Sequence, residues 1–182
     1  MIRRSAPLVA GALAVALLTA PALGQWSPRI LWNSTPSVPV GLYWLQPVDR
    51  VAIDDLVALR PPEGLARFLA ARGYLPQGVP LLKHVVALPG TEVCRDGSAI
   101  RVNGQAQGIA QARDRLGRAL PDWQGCHWLA AGEVFLMNPA VPDSLDGRYF
   151  GPLPSSAITA RLRPIWIPRA DSAPPGPTDR TP

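Results

Sequence analysis

The sequence predicts a mainly β domain, built of antiparallel sheets with one short helix and an inserted loop. Three observations point there. The 182 residues include 22 prolines and 16 glycines, which favour short strands and frequent turns over long helices. Short apolar runs rich in Val, Leu and Ile are bounded by Gly, Pro or Asp, as half-buried strands are. Helical spacing of apolar residues marks one brief stretch of the body, Leu65, Phe68 and Leu69.

At the N-terminus, Arg3 and Arg4 precede an uncharged stretch from Ser5 to Pro28 whose apolar centre runs from Leu8 to Ala20. Residues 1–28 read as an export signal. The segment is either a cleavable signal peptide, with small Ala22 and Gly24 at −3 and −1 of a cut, or an uncleaved anchor. In both cases the arginines stay in the cytoplasm and the chain after Gln25 lies outside. The body is then expected at the periplasmic face of the inner membrane, or in the periplasm if the segment is cut.

Strands are expected over Gly41–Leu45 and Asp55–Leu59, then a helix over Glu63–Arg72, opened by Pro61-Pro62 and closed by Gly73. Leu81–Leu88 reads as a strand stopped by Pro89-Gly90, and Thr91–Arg95 with Ala99–Val102 as a hairpin over Asp96-Gly97. Two further strands follow, Glu133–Met137 and Ile158–Ile167. Residues 168–182 hold five prolines and no apolar periodicity, so they are expected to be a disordered tail. The folded domain is therefore 29–167.

An exported body gives Cys94 and Cys126 a meaning, since two cysteines in an oxidising compartment pair. Their disulfide would tie off the polar, Arg- and Gln-rich stretch 104–125, the inserted loop. Chain entropy puts the stabilisation at roughly 3 to 4 kcal/mol.

The net charge of +5 comes from arginines scattered over the chain, without a basic run. Nucleic-acid binding, which needs that charge gathered on one face, is not expected, whereas a mildly basic protein suits anionic lipid. Of 18 basic residues only Lys83 is a lysine, and it lies in the apolar run Leu81-Leu82-Lys83-His84-Val85-Val86. Burial disfavours an ammonium, and lysine, unlike arginine, can lose its proton. His84 points to the other face and reads as a packed or hydrogen-bonded imidazole.

Two more patches carry polar chemistry. In Asn33-Ser34-Thr35-Pro36-Ser37-Val38-Pro39 the prolines hold the backbone extended and remove local donors, which frees the Ser37 hydroxyl and amide for a ligand. In Ser144-Leu145-Asp146-Gly147-Arg148-Tyr149-Phe150-Gly151-Pro152, Asp146 and Arg148 fall on one side of an extended segment and can pair. Asp143 is a second acidic candidate.

These patches, in this order, resemble the boxes of the bacterial type I signal peptidases, the Ser-Lys proteases, over about residues 30–167. Leu82-Lys83-His84-Val85-Val86-Ala87-Leu88-Pro89-Gly90 is similar to the lysine box, and Ser144 to Pro152 to the last box. The spacing Ser37-Val38-Pro39-Val40-Gly41-Leu42-Tyr43, and Asn138-Pro139-Ala140-Val141 in place of Gly-Asp-Asn-Arg, resemble the TraF-type conjugal-transfer branch. The resemblance implies the signal-peptidase arrangement of sheets, Ser37 as nucleophile and Lys83 as its base. It gives Thr35 an oxyanion role beside the Ser37 amide, Ser144 the orienting of the lysine, and Asp146 with Arg148 the bracing of the site. It implies removal of leader peptides from exported precursors, here a pilin-like precursor protein with small residues at −1 and −3 that is trimmed or joined end to end, with no metal or cofactor. The alternatives are a housekeeping signal peptidase and a non-catalytic periplasmic pilus-assembly protein.

Overall fold

Alternating apolar residues build two antiparallel sheets, seen in the computed structural model, which describes residues 6–23 and 29–168. The expected cut after Gly24 and the tail beyond Pro168 lie outside the described residues. Helix α1 (Ala6–Leu23) carries no charge. Among the described residues no helix is long and apolar enough to cross a membrane.

The body runs β1 (Ile30–Asn33), β2 (Gly41–Gln46), β3 (Leu56–Leu59), α2 (Glu63–Ala71), β4 (Leu81–Ala87), β5 (Glu92–Asp96) and β6 (Ala99–Val102). It continues through β7 (Gln105–Ile109), β8 (Gly125–Trp128), β9 (Glu133–Met137), α3 (Gly147–Phe150), β10 (Leu153–Pro154) and β11 (Ile158–Trp166). The larger sheet has the order β1-β2-β11-β3-β4-β9-β10, and the smaller β7-β6-β5-β8.

Strand β4 is central, with Lys83 opposite Val57 on one side and His84 opposite Met137 on the other. Val85 of β4 packs in a core with Val57 and Leu59 of β3, Val134 and Leu136 of β9, and Ile158 of β11, all buried. At about 25 cal/mol per Å² of apolar surface, this burial is what holds a charged side chain on β4 in place. A second cluster, including Ile100, Phe135 and Met137, joins the two sheets.

Helix α2 begins after Pro62, and Gly73, at φ +69°, ends its last turn in the left-handed region that glycine tolerates. Strands β1, β7, β8 and β10 were not expected. β10 spans two residues and β7, Gln-Ala-Gln-Gly-Ile, is largely exposed, so neither carries an apolar alternation.

The insertion also differs from a free loop. After β7 it is fastened to α2 and the segment behind it: the Arg72 guanidinium donates to Ala119 O, and the Tyr74 hydroxyl to Asp114. Burial pushes the Asp114 carboxyl up, but donors from Tyr74, Arg118 and Leu116 N outweigh it and hold the group well below the usual carboxylate range. Cys94 and Cys126 face each other on β5 and β8 and form a disulfide, with Cα atoms 4.0 Å apart.

The segment around Asp146 is a correction. It is not extended: Asp146 caps α3, its carboxylate accepting from Arg148 N at 3.1 Å. An aspartate that captures the amide two residues on closes a turn, so Asp146 and Arg148 meet through a helix cap and not across a strand face.

Candidate active site

The loop between β1 and β2 cannot make a ladder, because Pro36 and Pro39 have no N–H. Asn33, buried at the end of β1, replaces it. Its Nδ2 donates to the carbonyls of Thr35 (2.8 Å), Val38 (3.1 Å) and Pro39 (3.1 Å). The Tyr43 hydroxyl adds a bond to Pro39 O at 2.6 Å. Ser37 is left half-buried at the loop tip, and its N–H meets no acceptor among the described residues.

Thr35 stands 3.4 Å from Ser37, hydroxyl to hydroxyl, but its own proton goes to Asn33 Oδ1 at 2.8 Å. One hydroxyl carries one proton, so in this geometry Thr35 can only accept from Ser37. Donation to a substrate oxygen requires that proton to leave Asn33.

Lys83 is 3% exposed. Burial lowers its amine to about 8, against a smaller upward pull from the Asp146 carboxylate. Its nitrogen donates to Ser144 Oγ at 2.8 Å. Ser37, Thr35, Lys83, Ser144 and Asp143 line one cleft of about 420 Å³, whose far wall is the insertion from Gln111 to Leu120 together with Arg72 to Leu75. Ser37 and Lys83 share this cleft without a hydrogen bond between them, and bonds of this kind commonly tighten only as substrate binds.

Asp146 and Arg148 form a buried bidentate pair at 2.9 and 2.8 Å. The guanidinium also donates to the carbonyls of Asn138, Val141 and Pro142. Every arm of Arg148 is thereby occupied, which a buried cation requires. Asp143 instead pairs with exposed Arg115 at the cleft mouth. His84 Nδ1 lies 3.2 Å from Asn138 Oδ1.

Two residues of the site were not read from the sequence. Asn33 and Asn138 are buried, and both spend their amides on the nucleophile loop. The available signal was an asparagine ending an apolar strand in Ile30-Leu31-Trp32-Asn33 and in Phe135-Leu136-Met137-Asn138.

The family described as "Signal peptidase, peptidase S26" matches residues 2–167. A "Plasmid transfer protein TraF" from Escherichia coli is 34% identical over 175 residues, covering 90% of this chain and 95% of the relative. A "Probable conjugal transfer protein TraF" from Sinorhizobium fredii is 35% identical over 170 residues, 86% of this chain and 87% of the other. Among solved structures, a signal peptidase I from Enterococcus faecalis aligns with a TM-score of 0.38 at 16% identity, over 64% of this chain and 99% of that one. With the match running from the second residue to the end of the last strand, the chain belongs to the signal peptidase S26 family.

Proposed function

We propose that the domain 29–167 is a serine endopeptidase in which Ser37 is the nucleophile and Lys83 the general base. The observation that carries this is a buried amine, lowered to about 8, in one cleft with a serine whose amide has no partner among the described residues. Neutral Lys83 takes the Ser37 proton as Ser37 Oγ attacks the scissile carbonyl carbon. The oxyanion meets the Ser37 N–H, and a donor of this kind is worth ~2.7 to 4 kcal/mol. On collapse the C–N bond breaks and Lys83 returns the proton to the leaving amine. Water then hydrolyses the ester, or a second amine takes the acyl group and joins two ends.

Relatives named for plasmid and conjugal transfer support a precursor from that setting, a pilin-like exported protein. Strand β1 is an outer edge of its sheet, and Leu81 and Leu82 extend past the point where β9 pairs with β4. An extended substrate can add to such edges, with shallow room for small residues at −1 and −3. The outer face near β1 supports a position at the inner membrane: Trp32 and Trp166 stack at 6.0 Å beside exposed Ile30, Trp44 and Ile165.

The test is mass spectrometry of the pilin precursor in cells carrying wild type, Ser37→Ala or no protein. Processing in wild type alone is expected, with loss of one water if the ends are joined. Equal processing in the Ser37→Ala cells would refute the reading.

A further inference from the structure

Asn138 follows β9, is 2% exposed, and touches each part of the site. Its Nδ2 donates to the Ser37 carbonyl at 2.7 Å and to Leu82 O at 3.1 Å, and lies 3.5 Å from Ser144 Oγ. Its Oδ1 accepts from His84 N at 3.2 Å. Leu82 and His84 are the chain neighbours of Lys83. One amide therefore grips the peptide on both sides of the base and the carbonyl of the nucleophile. Its orientation is fixed, because the oxygen faces an N–H and the nitrogen faces two carbonyls.

The backbone of Asn138 is held in turn. Its N–H donates to Asp146 Oδ2 at 3.0 Å, and its carbonyl accepts from Arg148 at 3.2 Å. Asp146 and Arg148 make no hydrogen bond to Ser37 or Lys83 among the described residues, and their hydrogen-bonded link to the Ser37 carbonyl and to the chain beside Lys83 runs through Asn138.

We infer that Asn138 is a positioning residue that sets the separation of Ser37 and Lys83. The inference rests on the reading of those two residues given above. The Ser37 loop lacks a ladder, so its carbonyl has no other donor among the described residues to fix it against β4. Displacing reacting groups by about 1 Å can cost ~100-fold in rate.

The test uses the full chain and a fluorogenic peptide with alanine at −1 and −3, assayed from pH 6 to 10 for wild type, Ser37→Ala, Asn138→Ala and Asn138→Asp, with thermal melts alongside. Asn138→Ala should lower kcat ~100-fold, hold KM within about threefold, and keep the wild-type pH midpoint. The isosteric Asn138→Asp should lose as much kcat and also move the midpoint up by about one unit, since a carboxylate then faces the Lys83–Ser144 pair. A merely architectural asparagine would lower the melting point or raise KM in Asn138→Ala without this selective loss of kcat. Wild-type kcat in Asn138→Ala, an unshifted midpoint in Asn138→Asp, or failure of both variants to fold would each overturn the inference while Ser37→Ala stays inactive. Cleavage by Ser37→Ala would instead overturn the reading of the site.

Discussion

The amine of Lys83 sits 2.8 Å from the hydroxyl of Ser144, its one hydrogen-bond partner among the described residues. Three consequences follow from that bond. It aims the amine into the cleft, it leaves the remaining amine valences for Ser37, and it fills a need that aliphatic neighbours cannot meet. Ser144→Ala should lower kcat on the precursor peptide by about 10 to 100-fold, the effect of losing one hydrogen bond to a charged or proton-accepting group. Thermal stability should fall as well, since the buried amine then loses its partner at a cost of about 1 to 3 kcal/mol. Steady-state kinetics beside circular dichroism checks both.

Asp146→Ala should act on the fold first. Arg148 is 1% exposed, and without its carboxylate it becomes a buried cation without a counter-charge. Breaking such a pair from one side costs about 3 to 5 kcal/mol, so the urea midpoint should fall markedly. Asp146→Asn, which keeps an acceptor for Arg148 N, should lose less. Equal losses would show that the charge, and not the cap, is what matters.

Reduction addresses the insertion. The bridge joins Cys94 and Cys126, 32 apart in sequence, and the loop it closes includes Gln111 to Leu120 of the far wall of the cleft. Reducing it, or making Cys94→Ala with Cys126→Ala, should cost roughly 3 to 4 kcal/mol in denaturant. A non-reducing digest of protein from the cell envelope should contain the cross-linked peptide. Two alkylatable thiols there would remove the basis of the prediction.

How much of this could be read from sequence depended on whether a residue's role was local. Lys83 was legible because a lone amine in an aliphatic run is anomalous wherever it folds. Strand β9 was legible to the residue because Glu133–Met137 carries its own burial signal, with four of its five residues buried. The turn at Asp146 was misread as extended, since alternation and capping compete over so short a stretch. Strand β7 gave no signal because its residues, an edge exposed to water, bury little. Asn138 was unreadable for a different reason. Its partners Leu82 and Ser37 lie 56 and 101 residues away, and a hydrogen bond over that distance exists only once β4 and β9 are paired.

The last prediction separates the charge of Lys83 from its loss. In the unfolded chain the amine titrates near the ordinary value of 10.5, and in the folded protein burial lowers it to about 8. Below pH 8 both states hold the proton, and the folded state bears the full cost of a buried ammonium, about 3 kcal/mol from the two values. Between 8 and 10.5 the unfolded chain binds more protons, so stability rises with pH across that window. Lys83→Met should therefore be inactive yet more stable than wild type at pH 7, with the gain fading above pH 10 or so. Activity runs with the same proton. The wild-type rate should climb with pH about a midpoint near 8, because only the neutral amine can accept from Ser37. Lys83→Arg should be as inactive as Lys83→Ala, since a guanidinium keeps its proton throughout. The measurement is a pH–rate profile on the precursor peptide with denaturant curves at pH 7 and 10 for all four proteins. An active, folded arginine variant would show that the residue is needed for charge, and the base would have to be sought elsewhere in the cleft.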